Sequence, residues 1–378
     1  MEAIDDKYTE RIRRAEDQLV HFLRTFETMQ EELHLSRIAE AQTQLRAAVG
    51  DLFTALPAEL STLSPPESLT DRSRVAFHAK LSEAVVCFAD AYACFLSGTG
   101  PNFGQSFLHS RQAFCKGLYL LYEIRAELPA LQQYWVLPAA LPALAALEAK
   151  IPGVEVPVGF THKQGTNQHA EYSLYVPEHY TPQQAWPLIV CLHGGYGRGD
   201  DYIWTWLRPA KSKGYLLLSP KSVGPTWSAL NPPVDSRSIL AMLEDVCATY
   251  AVDRKRIYLT GLSDGGIFTY VLGLAHAQLF AGIAPVAGEL HPMVDPLLRR
   301  SQGKEVPILI VHGAQDSIFS VEFTRQAHAL LKKLGYNVTY QELPDWGHAY
   351  TYTINETLVL PWFESLGVKL DPQEKTHQ

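Results

Sequence analysis

An α/β fold with a mostly parallel sheet, preceded by an all-α helical region, is what this 378-residue sequence predicts. Three observations lead there. Residues 151–378 alternate short apolar, β-branched runs with helical stretches, the pattern of strands covered on both faces by helices. Residues 1–150 show hydrophobic spacing of three and four residues, which belongs to helices. Glycine is split unevenly, 5 of the 25 before position 151 and 20 after it, so the two parts need different amounts of turn. The expected domains are therefore 1–150, helical, and 151–378, α/β and catalytic.

The helical part is read in order. Tyr8, Ile12, Ala15, Leu19, Phe22, Leu23, Phe26, Met29 and Leu33 form one stripe of a long first helix, with Arg and Glu on its other face. A second helix is expected over 37–56. Pro65 and Pro66 break the chain, and Thr70 caps a helix running to about 96. A turn cluster at 97–102 precedes a helix over 105–127, and 128–150 reads as short helical pieces leading to a linker. The breaks favour a compact bundle over a coiled coil.

In the second part, strands are expected at 171–176, 187–192, 214–219, 256–260, 281–286, 306–311 and 338–342. Helices are expected at 236–250, 265–278 and 320–334. In such sheets the chemistry sits at the carboxyl ends of the strands.

Composition narrows the function classes. The chain is 47% hydrophobic and 19% charged, enough to bury a core, which argues against disorder. A net charge of −8 without a long basic run argues against nucleic-acid or anionic-membrane partners. The five cysteines (87, 94, 115, 191 and 247) include no C-x-x-C pair, so neither a disulfide framework nor a structural zinc is expected. Residues 1–14 are charged with no apolar stretch, and no run of 18 apolar residues occurs; the expectation is a cytoplasmic protein without a membrane span.

The strongest chemical signal is Gly261-Leu262-Ser263-Asp264-Gly265, between an expected strand and an expected helix. A serine on so sharp a turn needs small residues two positions away on each side. The helix that follows points its amides and dipole at the serine. A serine hydroxyl needs a base, and His348 in Asp345-Trp346-Gly347-His348 follows the last strand. The base needs a carboxylate to hold its tautomer. Asp316 lies 53 residues after Ser263 and 32 before His348; its alternative role is to cap the helix near Ser320. Asp345 is the rival acid, too close in sequence to His348 to reach under its ring. Two amides must stabilise the oxyanion: that of Asp264, and one in His193-Gly194-Gly195-Tyr196, with Gly195 preferred and Tyr196 second.

These motifs resemble an α/β-hydrolase over about residues 155–368, most closely the carboxylesterase/phospholipase and feruloyl-esterase-like group. The resemblance rests on His193-Gly194-Gly195, the Ser263 elbow, Asp316 and His348. It implies a serine carboxylic ester hydrolase acting on a small-molecule ester, without cofactor or metal. Short-chain or aromatic esters are favoured by the aromatic residues near the site. Tyr196 and Trp227 are the expected substrate-binding residues, whereas Trp204 and Trp206 are read as core. His193 is read as a brace for the oxyanion loop. His162, His169, His291 and His312 form no ligand motif, and Asp200 and Asp201 are read as capping the next helix. The same triad order suits a prolyl-oligopeptidase-like peptidase, but residues 1–150 are helical and too short for that family's propeller. An acyltransferase differs only in its acceptor. The helical region is expected to dock on the hydrolase, either as a lid over its site or as the module of any homo-oligomer.

Overall fold

The computed structural model describes residues 2–62, 72–148, 153–299 and 302–368. Pro65, Pro66, Thr70 and Lys150, which entered the reading above, lie outside the described residues. The chain divides into two compact units, Met1–Pro138 and Ala139–Gln378.

The first unit is helical: α1 (Glu2–Glu31), α2 (Ile38–Val49), α3 (Leu52–Ser61), α4 (Arg72–Ser97), α5 (Phe103–Glu123) and α6 (Pro129–Tyr134). All nine residues of the α1 stripe and its extension to Leu33 are buried, with Leu19, Phe22, Leu23 and Phe26 at 0% exposure. The ring of Phe22 meets Phe53 edge-on at 4.8 Å and lies 5.6 Å from Phe88. Gly117 on α5 lets α4 approach, since a β-carbon there would sit 2.5 Å from the Phe88 ring. The helix expected over 37–56 is two helices. Gly50 takes φ 58, a left-handed conformation that ends α2. The Asp51 carbonyl then accepts from the amides of Thr54 and Ala55, starting α3.

The second unit begins with α7 (Leu141–Glu148) and builds one eight-stranded sheet among the described residues. Its strands are β1 (Gly159–Lys163), β2 (Tyr172–Val176), β3 (Trp186–Leu192), β4 (Leu216–Pro220), β5 (Val252–Leu262), β6 (Gly282–Val286), β7 (Ile308–Gly313) and β8 (Val338–Leu343). The spatial order is β1-β2-β4-β3-β5-β6-β7-β8; β2 runs antiparallel to β1 and β4, and the other pairs are parallel. Every residue of β3 and β4 is buried, as their continuous apolar runs require. The intervening helices are α8 (Gly199–Tyr202), α9 (Trp204–Lys213), α10 (Pro233–Thr249), α11 (Asp264–Ala275), α12 (Asp295–Leu298) and α13 (Val321–Lys333). The short α14 (Tyr352–Ile354) passes through a π turn into α15 (Leu360–Val368).

All seven expected strands form. The eighth, β1, is an edge strand of sequence Gly-Phe-Thr-His-Lys, partly exposed along most of its length, and so carries little apolar signal. Asp200 and Asp201 stand in the first turn of α8, whose N-cap is Arg198. Asp200 is ion-paired to Arg198, a contact that replaces the expected cap. No helix among the described residues is long and apolar enough to cross a membrane.

Phe22→Ala should destabilise the first unit by about 3–5 kcal/mol, because a fully buried ring leaves a cavity among other rings that cannot collapse. Urea unfolding of the full chain should show one transition moved to lower denaturant. An unmoved transition would mean the aromatic cluster contributes little to stability.

Candidate active site

The parallel register brings the chemistry to one edge of the sheet. Leu192 of β3 pairs with Gly261 of β5, Leu262 with Val286 of β6, Val286 with Val311 of β7, and Gly313 with Leu343 of β8. Gly195 follows the first of these strand ends, Ser263 the second, Asp316 the fourth and His348 the fifth. All four leave the carboxyl ends of the strands.

Ser263 sits between β5 and α11 with φ 59 and ψ −122, one of three non-glycine residues with positive φ among those described. Its amide donates to Val286 O at 2.9 Å, and its carbonyl accepts from Ile267 N at 2.9 Å as α11 begins. The flanking glycines are needed for space. A β-carbon on Gly261 would lie 2.4 Å from Gly265 O, and one on Gly265 would lie 2.3 Å from Leu192 O. The turn is thus pressed between the end of β3 and its own helix. The Ser263 hydroxyl makes no hydrogen bond to a described residue.

Asp316 and His348 are paired, His348 Nδ1 lying 2.8 Å from Asp316 Oδ2. The other carboxylate oxygen, Oδ1, accepts from the amides of Ile318 at 2.8 Å and Phe319 at 2.9 Å. One oxygen thus holds its own loop and the other holds the imidazole, while Asp316 does not cap the helix as its alternative reading expected. The helix cap falls to Ser320, whose hydroxyl accepts from Glu322 N. Burial alone would raise the Asp316 carboxyl. The hydrogen bond and charge of His348, together with the two amides, overcome that and hold it below its ordinary value. The loops carrying the pair are joined through backbone, Gln315 N to Trp346 O at 3.1 Å and Ala314 N to Leu343 O at 2.9 Å. Asp345 is exposed and makes no bond to His348.

The glycine loop after β3 lies against the serine, since a β-carbon on Gly194 would be 3.5 Å from Ser263 Cβ. The Tyr196 amide donates to Pro225 O at 3.0 Å, whereas the Gly195 amide has no acceptor among the described residues. Asp264 is the first residue of α11, where amides lack an intrahelical acceptor. Its carboxylate accepts from Thr226 Oγ1 at 2.5 Å and crowds Gly195, whose added β-carbon would come within 2.6 Å of it.

His193 is 1% exposed. Its Nε2 accepts from Ser222 N at 3.2 Å, which leaves the proton on Nδ1, directed to Gly194 O at 2.7 Å. Burial pushes this imidazole down to about 4. Trp227 was expected to face the substrate. It is instead 4% exposed, stacked between His193 and Phe268, and its indole donates to His193 O at 2.7 Å. It supports the glycine loop from behind. Its position after a strand was legible, but not which side of the loop it would take. Tyr196 is 69% exposed at φ 57. Trp204 and Trp206 are core residues. Thr226, Phe319 and His312 were not singled out for the site; Thr226 reaches Asp264, Phe319 packs its ring against His348, and His312 bonds to Phe319 and Thr324 within its own strand–helix connection, none of which a local pattern announces.

A serine on a tight strand–helix turn, followed in order by an acid and a paired histidine at the ends of later strands of a mostly parallel sheet, is the arrangement of the α/β-hydrolase fold. The second unit has the α/β-hydrolase fold. Residues 236–358 match the phospholipase/carboxylesterase family, about a third of the chain. A feruloyl esterase B of Talaromyces funiculosus is 31% identical over 126 residues, covering 30% of this chain and 35% of that protein. A bifunctional acetylxylan esterase/xylanase, XynS20E of Neocallimastix patriciarum, is 27% identical over 169 residues, 43% of this chain and 23% of that protein. The matched part thus spans about a third or less of these relatives. Among solved structures, a thermostable esterase is 26% identical with a TM-score of 0.44, covering 55% of this chain and 62% of that one. The similarity falls on the hydrolase unit in the family match.

The buried His193 makes the hydrolase unit sensitive to acid. An unfolded histidine titrates near 6.5 and the folded one near about 4. Between those values the unfolded chain binds the extra proton, so stability is fully present above 6.5 and falls as the pH drops toward 4. The loss is on the order of 3 kcal/mol. Melting temperatures from pH 7 to 4.5 should fall less steeply in His193→Asn than in the parent. Equal slopes would show that other groups dominate.

Proposed function

We propose that the chain is a serine carboxylic ester hydrolase working through an acyl-enzyme, with Ser263 as nucleophile, His348 as base and Asp316 as the acid that orients it. The observation that carries this reading is the left-handed Ser263 at the β5–α11 turn, on the same sheet edge as the 2.8 Å Asp316–His348 pair. With Nδ1 engaged by Asp316, His348 has Nε2 left to take the serine proton as Oγ attacks the ester carbonyl. The amides of Gly195 and Asp264 receive the oxyanion. Collapse expels the alcohol, which takes the proton back from His348. Water then repeats the cycle on the acyl-enzyme and releases the acid.

Short-chain or aromatic esters are the proposed substrates. Tyr196, Val223, Leu230 and Ile318, on loops that follow the carboxyl ends of β3, β4 and β7, are more than half exposed and offer apolar surface at that sheet edge. The partial likeness to a feruloyl esterase points the same way.

Ser263→Ala and His348→Ala should each lower kcat by about 10⁴-fold or more on a small aryl ester, with Asp316→Asn costing somewhat less. A fluorophosphonate should label the parent at Ser263 and leave Ser263→Ala unlabelled. Retained turnover in Ser263→Ala would end this reading. A strong preference for emulsified long-chain triglyceride would end its substrate part.

A further inference from the structure

We infer that His312 is a positioning residue that holds Asp316 and, through Phe319, the ring of His348; this rests on the reading of Ser263, Asp316 and His348 as one catalytic unit.

His312 is the penultimate residue of β7 and is 0% exposed. A buried imidazole must have both nitrogens satisfied. Its Nε2 lies 2.9 Å from Phe319 O, and its Nδ1 lies 3.0 Å from Thr324 Oγ1. A carbonyl can only accept, so Nε2 carries the proton and Nδ1 accepts from the threonine hydroxyl. The same Nε2–H lies 3.4 Å from Asp316 Oδ2, the oxygen that receives His348 Nδ1. At that distance the contact is electrostatic support for the carboxylate, and the full hydrogen bond is the one to Phe319.

The result is a closed loop. Asp316 Oδ1 gathers the amides of Ile318 and Phe319, and His312 secures the carbonyl of Phe319. The Phe319 ring is then fixed edge-on to His348, with centroids 5.6 Å apart and planes at 69°. One buried side chain on the strand thereby sets both the direction of the acid and the wall against which the base ring rests. An apolar residue at this position would fill the space but leave the Phe319 carbonyl and the Thr324 hydroxyl without their partner. A glutamine keeps an N–H that can reach the carbonyl.

The experiment compares His312→Leu and His312→Gln in the full chain, with 4-nitrophenyl acetate as probe, alone and in the Asp316→Asn background. His312→Leu should lower kcat about 10- to 100-fold with KM changed less than about twofold, the cost of a misplaced acid–base pair. His312→Gln should stay within about threefold of the parent. With Asp316→Asn already present, His312→Leu should cost no more than about twofold further, because the two act as one unit. Unchanged kcat in His312→Leu, equal losses in Leu and Gln, or fully additive losses with Asp316→Asn would each overturn the inference. If His312→Leu does not fold, Thr324→Val replaces it, removing the hydroxyl on Nδ1 at nearly constant shape. A kcat drop of about threefold or more then supports the inference, and a smaller change overturns it. Retained turnover in Ser263→Ala would overturn the underlying reading instead; an inactive Ser263→Ala beside a fully active His312→Leu removes only the brace.

Discussion

Ser263 carries a β-carbon in a backbone conformation that disfavours one, at a cost of about 1–3 kcal/mol, and the neighbouring structure is arranged so that no other conformation is open to it. Its amide is held by Val286 O, its carbonyl starts α11, and Gly261 and Gly265 bring the turn into contact with the end of β3. That close packing determines more than the serine. It places Gly194 against the Ser263 β-carbon and sets the Asp264 carboxylate beside Gly195. The glycine loop and the serine turn are therefore one packed unit, and a β-carbon at either flanking glycine would drive them apart.

The acid–base side is organised differently. Here the close contacts are hydrogen bonds between loops that follow neighbouring parallel strands. Asp316 uses both oxygens, one for its own loop and one for His348. Backbone bonds from Ala314 and Gln315 hold the loop that presents the histidine. Parallel strands β7 and β8 make this natural, because their carboxyl ends emerge side by side and their loops can cross-link. Precision in this half comes from many weak bonds, whereas in the serine half it comes from steric exclusion.

Much of the fold was legible because its inner strands are buried on both faces. β2 to β7 read as largely apolar, β-branched runs, β8 kept a shorter, partly exposed run, and β1 hid behind Thr161, His162 and Lys163 on a half-wet edge. The α1 stripe was legible for the same reason of burial, and the break at Gly50 was not, since a lone glycine is compatible with a helix until its φ is known. The proposed serine, acid and histidine could be named from the sequence because each follows a strand in a set order. The place of Trp227 could not, because loop position does not say which side of the loop a ring will occupy. The parts played by Thr226, Phe319 and His312 depend on bonds to residues 3 to 38 positions away in the chain.

His193 stands beside the glycine loop, yet burial keeps it neutral until the pH is close to 4. Its Nδ1–H and the indole of Trp227 are spent on loop carbonyls. In the proposed mechanism, charge developing at Gly195 would be met by backbone amides and the N-terminal end of α11, which are fixed dipoles. Dipoles at contact range inside packed protein are poorly screened by dissolved ions, unlike exposed charges separated by a Debye length. If the oxyanion of the proposed mechanism rests on these dipoles, that contact would respond little to ionic strength.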